Sequence, residues 1–244
     1  MNLTYLMINF FVVIIPFLFS FHPKLNFYKT WNAFFPAVIL TGMLFIAADM
    51  YFTYLGVWGF NKSYLSGIRF FNIPIEEALF FLCIPYACVF TFFCLNIFFP
   101  KEINKKKEER FTLYFIVALA IAALFNIEKI YTSTTFLSLA FVLALSSYVW
   151  KVEWLGKFYL VYAVLLIPFF ISNGLLTGTG LESPVVWYNN YQFMGIRILT
   201  IPVEDIFYGM ELILINVLIY RYLLKRHYSR KVISKKINTS TIQL

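Results

Sequence analysis

Two short segments place adjacent carboxylates beside a proline in otherwise apolar sequence: Pro74-Ile75-Glu76-Glu77 and Pro202-Val203-Glu204-Asp205. Each follows a Gly-Ile-Arg triplet, Gly67-Ile68-Arg69 in one case and Gly195-Ile196-Arg197 in the other. Clustered carboxyl groups in an apolar setting are equipment for acid–base chemistry. Desolvation and like-charge proximity favour keeping a proton on one of them near neutral pH, while a neighbour stays free to accept one. A plainer reading competes. Proline suits the first turn of a helix, and an acid soon after it complements the positive end of the helix dipole, worth about 0.3–1 kcal/mol. That reading accounts for one acid per helix, but not for an adjacent second acid, an upstream arginine and a second copy of the whole arrangement.

Of twelve acids, six lie at or within apolar runs: Asp49, Glu76, Glu77, Glu204, Asp205 and Glu211. A carboxylate within a membrane segment costs on the order of 2.5–3.5 kcal/mol on insertion scales, so its presence there marks function. Consecutive helical residues point about 100° apart, so neighbouring acids cannot both face one cavity squarely. The expectation is that Glu76 and Glu204 face inward, with Glu77 and Asp205 flanking them or pairing with Arg69 and Arg197. The arginines would then hold the carboxylates and tune their protonation; alternatively they snorkel to the interface. Glu211 falls on the same helical face as Glu204, two turns deeper, and corresponds to Cys83 in the other copy. Asp49, late in its own apolar run, is a further proton donor or a structural partner. Trp58, Tyr64 and Trp187, with Tyr188 and Tyr191, cluster in the segments before the motifs, where they could bind substrate or form an interfacial belt.

The elements that must position these groups are membrane helices. Hydrophobic residues make up 61% of the chain and charged residues 13%, against roughly 25% charged in soluble domains. The apolar runs Leu3–Phe21, Ala33–Leu55, Ile73–Phe99, Phe158–Leu176 and Ile201–Leu224 are near or above the roughly 20 residues that cross a bilayer. Phe111–Ile127 and Thr132–Trp150 are slightly short. Leu3–Phe21 lacks a basic start and a small-residue cleavage site, so it reads as a mature helix. These runs predict an all-α polytopic bundle of about seven transmembrane helices. Placing the basic tail in the cytoplasm puts sixteen of the twenty Lys and Arg residues inside and leaves only Lys62, Arg69, Lys129 and Arg197 outside. That predicts an integral protein of the cell (inner) membrane with its amino terminus outside and its carboxyl terminus cytoplasmic. The net charge of +8 sits in membrane-flanking clusters suited to anionic lipid headgroups rather than nucleic acid.

The motif segments recur at an offset of 128 residues: Asn61 matches Asn189, Glu76 matches Glu204, and Trp58 lies one residue out of register with Trp187. Helices one to three therefore correspond to five to seven, and helix four is extra. One added crossing restores the orientation of the second unit, which predicts tandem parallel three-helix repeats related by a pseudo-twofold axis roughly along the membrane normal. The expected division is a first repeat at 1–100, a basic loop with linker helix at 101–130, a second repeat at 131–225 and a basic tail at 226–244.

Several chemistries lack their residues. No Gly-x-Gly-x-x-Gly follows a strand, and Gly178-Thr179-Gly180 stands alone. There is no Asp-rich prenyl-diphosphate motif. His22 and His227 are the only histidines, and helix seven has no lysine before Lys225, which excludes a retinal Schiff base. Cys83, Cys88 and Cys94 share one run in neither a zinc nor a disulfide pattern. No metal site is expected.

With these residues in view, the chain resembles the membrane-embedded lycopene cyclases of bacteria, archaea and fungi, in the form that fuses two small subunits. The resemblance rests on Pro74-Ile75-Glu76-Glu77-Ala78-Leu79-Phe80, Pro202-Val203-Glu204-Asp205-Ile206-Phe207, the Gly-Ile-Arg triplets, the Asp49 to Trp58 stretch and Asn173-Gly174-Leu175-Leu176-Thr177. It spans roughly residues 3–225, with Asp205 a mild departure from glutamate. It implies lycopene and related linear carotenoids as substrates taken from the lipid bilayer, and cyclisation of their linear ends to β-rings without net redox change. It implies no metal, flavin or other cofactor. Glu76, Glu77, Glu204 and Asp205 would carry the acid and base duties. Two rivals share these features: a proton-coupled transporter, and a related carotenoid enzyme such as a hydratase.

Overall fold

A computed structural model describes residues 3–100 and 103–241, with side chains through His227 and at Ser229. Lys101, Arg230, Lys231, Lys235 and Lys236, which belong to the charge asymmetry, lie outside the described side chains. Seven helices follow one another: α1 Thr4–Phe19, α2 Trp31–Tyr54, α3 Ile75–Phe98, α4 Lys105–Phe125, α5 Ile130–Ala144, α6 Leu155–Leu176 and α7 Val203–Thr241. Each predicted run has its helix. α5 widens at its end into a π-helical turn, Leu145–Val149. α4 starts before its apolar run because Asn104 caps it, its side chain accepting from the Lys106 N–H. Five segments, within α2, α3, α5 through Val149, α6 and α7, are long and apolar enough to cross a membrane, and α1 is apolar but shorter. The bundle turns large apolar side chains outward, including Phe11 and Ile15 on α1, Met43 and Leu44 on α2, and Ile167 and Ile171 on α6. A surface this greasy suits lipid, not water.

Short strands gather at the end where α3 and α7 begin. They are β1 Trp58–Phe60, β2 Arg69–Phe70, β3 Ile73–Pro74, β4 Val186–Tyr188, β5 Arg197–Ile198 and β6 Ile201–Pro202. β2 with β3 and β5 with β6 form equivalent hairpins, Arg69 opposite Pro74 and Arg197 opposite Pro202. The motif prolines thus sit in the strand immediately before each helix rather than in its first turn. Their fixed φ suits an extended strand end as well as a helix start, and the strand claims them.

β1 and β4 pair antiparallel, with Trp58 opposite Tyr188, Gly59 opposite Trp187 and Phe60 opposite Val186. Because Gly59 and Trp187 are 128 apart in sequence, each strand pairs with its own copy, which is the signature of a local twofold axis. The flanking bonds obey it: the Asn61 N–H donates to the Val185 carbonyl and the Asn189 N–H to the Val57 carbonyl, both at 2.8 Å. Even strain repeats. Phe71 and Leu199, also 128 apart, both adopt left-handed φ, 54° and 57°, at a cost of about 1–2 kcal/mol each. The axis makes Trp187 the equivalent of Gly59, not of Trp58.

The symmetry stops at the helix packing. α2 lies closely along α7, whereas the equivalent pair, α6 and α3, diverges. A cavity fills that gap.

At Gly59 an added Cβ would lie 2.3 Å from Cζ2 of Trp187, so the indole occupies the space a side chain needs. Gly59→Ala is expected to destabilise the protein by about 1–3 kcal/mol, read as a lower unfolding midpoint in detergent. Adding Trp187→Ala should restore most of the loss; no recovery would mean the strand crossing fails for another reason.

Candidate active site

The cavity has a volume of about 480 Å³ and lies among α1, α3, α6 and α7, roofed by β1 and β4. Its walls are largely apolar and aromatic, and its polar groups gather under the roof except for Thr91 farther along α3. Three carboxylates reach it: Asp49, Glu77 and Asp205. All three are buried, at 2%, 7% and 5% exposure.

This reverses the expected orientation. Glu77 and Asp205, not Glu76 and Glu204, face the chamber. Glu76 and Glu204 are fully buried beside it and hold the preceding loops: Oε1 of Glu76 accepts from the Ser66 N–H at 2.6 Å, and Oε1 of Glu204 from the Met194 N–H at 2.7 Å. Glu204 also accepts from the Thr132 hydroxyl at 2.5 Å. The 100° spacing of neighbouring helical residues allows one inward acid per motif. Which one it is depends on helix rotation, and the hairpin before each helix sets that rotation.

A tyrosine from the partner helix grips each inward acid. Tyr5 on α1 donates to Oε2 of Glu77 at 2.5 Å, and Tyr131 on α5 donates to Oδ1 of Asp205 at 2.6 Å. The next bonds differ between halves. Asp205 also accepts from the Asn173 amide at 2.8 Å and the Tyr188 hydroxyl at 2.9 Å. In the first half the residue equivalent to Asn173 is Asp49. The Val57 N–H bonds the Phe52 carbonyl as Val185 bonds Leu176, and the Asn72 amide donates to the Met50 carbonyl as the Thr200 hydroxyl does, more weakly, to Gly174. These pairs align α2 with α6 at an offset of 124, so Asp49 falls on Asn173. Asp49 accepts from Nε1 of Trp58 at 2.8 Å through Oδ1, and its Oδ2 has no partner among the described residues. It lines the chamber together with Glu77. One half therefore couples a carboxylate to an amide donor, and the other couples it to a second carboxyl.

The expected arginine pairing does not occur. Arg69 and Arg197 are exposed. Arg197 donates to the Thr200 carbonyl at 2.6 Å and lies over the Phe193 ring at 4.7 Å. Among the described residues the one ion pair joins Lys105 to Glu108. An exposed guanidinium stays hydrated, and entering the chamber would strip that water. Glu211 shares the α5-facing side of α7 with Glu204, as expected, but accepts from Ser138 at 2.7 Å instead of reaching the chamber.

Of the expected aromatic residues, Trp58 lines the chamber. Tyr64 is buried outside it, within hydrogen-bond range of Ser183. Trp187, 45% exposed, lies over Gly59. The chamber's aromatic wall is instead Trp58 with Tyr131, Tyr188 and Tyr208, their ring centroids 5.0, 6.0 and 6.2 Å from the indole. The Tyr208 hydroxyl is buried with no partner among the described residues. Sequence reasoning missed Tyr5, Tyr131 and Tyr208. The first two carry a signal, a tyrosine near the start of helices one and five, but they recur at 126 rather than 128.

With this geometry in place, comparison with known proteins identifies the class. The family model described as Lycopene cyclase matches the chain twice, over residues 2–95 and 128–223. The chain belongs to the lycopene cyclase family, and the two matches are its two repeats. Its function is of the lycopene-cyclase type, with a carotenoid substrate and a membrane setting. Nothing among curated proteins or solved structures matches the chain.

Removing the loop anchor should damage the fold. Glu204→Ala leaves the Met194 N–H and the Thr132 hydroxyl without their acceptor, at a cost of about 1–3 kcal/mol. The expected result is a lowered unfolding midpoint; an unchanged midpoint would deny Glu204 its anchoring role.

Proposed function

We propose that this chain is a lycopene β-cyclase in which Glu77, with Asp49 beside it, delivers a proton and Asp205 removes one. The single observation that carries the reading is that acids from both repeats meet in one apolar, aromatic-walled chamber. Neighbouring carboxyls in an apolar chamber do not easily all ionise, which favours a retained proton, and Asp49 and Glu77 line the same chamber. A carboxylate that accepts from three donors, as Asp205 does from Tyr131, Asn173 and Tyr188, is suited to its charged form.

The steps balance without a cofactor. The electron pair of the terminal alkene takes the acid's proton, leaving a tertiary cation. A nearby double bond in the same end attacks that cation and closes a six-membered ring, moving the positive charge to the ring. The base removes an adjacent ring proton, and the electrons of that C–H bond become the ring double bond. No atom is gained or lost. Trp58 and the tyrosines around it present ring faces to the cation, each worth about 2 kcal/mol or more when desolvated. Glu76 and Glu204 act as positioning residues through the loops they hold.

In this reading the protein crosses the cell membrane seven times, with the chamber roof outside and the basic tail, 226–244, in the cytoplasm. The repeats, 1–100 and 131–225, close around the chamber, and 101–130 links them.

In a lycopene-accumulating host, the chain should convert lycopene to β-carotene, followed by pigment chromatography. Glu77→Gln and Asp205→Asn should each lower conversion by a hundredfold or more while the protein remains in the membrane at normal level. Near-normal conversion in either variant would remove that residue from the chemistry, and a hydroxylated product in the wild type would point to a hydratase.

A further inference from the structure

The chamber does not obey the twofold axis that relates the strands and motif helices. Its mouth lies between α1 and α6, where Phe11, Ile15 and Ile171 are 60%, 62% and 64% exposed to the surroundings. On the equivalent side of the bundle the helices meet ring to ring on α7: Phe45 of α2 lies 5.1 Å from Tyr208 and Phe136 of α5 lies 4.9 Å from Phe207, centroid to centroid. One pair of positions accounts for much of the difference. Where α3 sets Phe81 against Phe45 of α2, with ring centroids 6.2 Å apart, α7 sets Gly209 against α6. A Cβ at Gly209 would already lie 3.1 Å from the Tyr162 hydroxyl and 3.7 Å from Phe169. Phe169 is the α6 equivalent of Phe45 at the offset of 124. A phenylalanine closes one side, and a glycine leaves the other open.

The chamber is also short. Its lining runs from Tyr5 to Pro16 along α1, a rise of about 17 Å, and from Glu77 to Thr91 along α3, a rise of about 21 Å, against a hydrocarbon core of about 30 Å. A long linear polyene admitted there leaves its far end in the α1–α6 opening and the lipid beyond. Both acid–base partners are committed to the near end, so nothing equivalent waits for the other.

We infer that the two repeats build one working chamber, entered laterally between α1 and α6 and kept open by Gly209. A symmetric linear carotenoid is then cyclised one end per visit, and the one-ring product returns to the lipid before its second end can react. This rests on the cyclase reading.

The test uses the full chain in liposomes containing lycopene, with linear, one-ring and two-ring pigments separated over time. The one-ring product should rise first and pass through a maximum. Added isotope-labelled one-ring carotenoid should be drawn into two-ring product in proportion to its share of the pool. Two-ring product that forms without mixing with that added pool overturns the proposal while leaving the cyclase reading intact. Absence of any ring product defeats the cyclase reading itself. A paired substitution tests the mouth. Ile171→Trp should slow the first ring closure tenfold or more. Ala47→Trp, at the equivalent exposed position on α2, should leave it unchanged. Both sites face outward, so both proteins should fold, and membrane level and unfolding midpoint confirm that. Equal slowing by the two variants, or by neither, contradicts a single-sided chamber. Gly209→Leu crowds Tyr162, so its unfolding midpoint should fall, and the protein that remains folded should lose both ring closures; full activity in that variant also contradicts the proposal.

Discussion

Buried carboxylates govern this structure. An ionisable group inside an apolar bundle is tolerated only when donors or a retained proton satisfy it. Here the donors come from other helices. Tyr5 on α1 reaches Glu77 on α3, and Tyr131 on α5 reaches Asp205 on α7. Each bond ties together two elements distant in sequence. The strand crossing of β1 and β4 then locks one repeat to the other and closes the roof over the acids. Chamber, helix packing and chemistry all follow from where these few groups find partners.

The protein uses near-symmetry to create a difference. In the proposed reaction one inward acid gives a proton and the other takes one, so their surroundings must differ. The amide of Asn173 beside Asp205 is replaced in the other half by the carboxyl of Asp49, which sets the two surroundings apart. So do Tyr188 opposite Phe60 and Tyr208 opposite Phe80 in the sequence alignment of the repeats. General acid–base chemistry needs such a separation, because a donor and an acceptor of the same proton affinity hinder one another.

Much of this was legible in the sequence. The helices, the repeat and the placement of the motif acids inside the bundle follow from hydropathy, spacing and the rarity of charge in a membrane segment. What was not legible came from two physical causes. Helix rotation is set by the hairpins before α3 and α7, so Glu76 and Glu77 could not be told apart by spacing alone. The repeats also diverged by small length changes between elements. A single offset of 128 fits the strands and motif helices, but α2 with α6 needs 124 and Tyr5 with Tyr131 needs 126. That hid the match of Asp49 to Asn173. Residue type alone sets Trp58 beside Trp187, one residue out of register, whereas the offset of 128 and the strands both pair Gly59 with it. Of the two readings open for Arg69 and Arg197, pairing with the acids or snorkelling to the interface, their exposed hairpin positions fit the second.

Isotope incorporation tests most directly whether chamber carboxyls hand a proton to a hydrocarbon. Cyclisation is run in deuterated water with unlabelled substrate after the protein has equilibrated with that solvent, and the products are weighed by mass spectrometry. Proton delivery by an exchangeable acid followed by loss of a ring proton predicts a single deuterium gained for each ring closed. Rings that form with no deuterium at all would contradict the account.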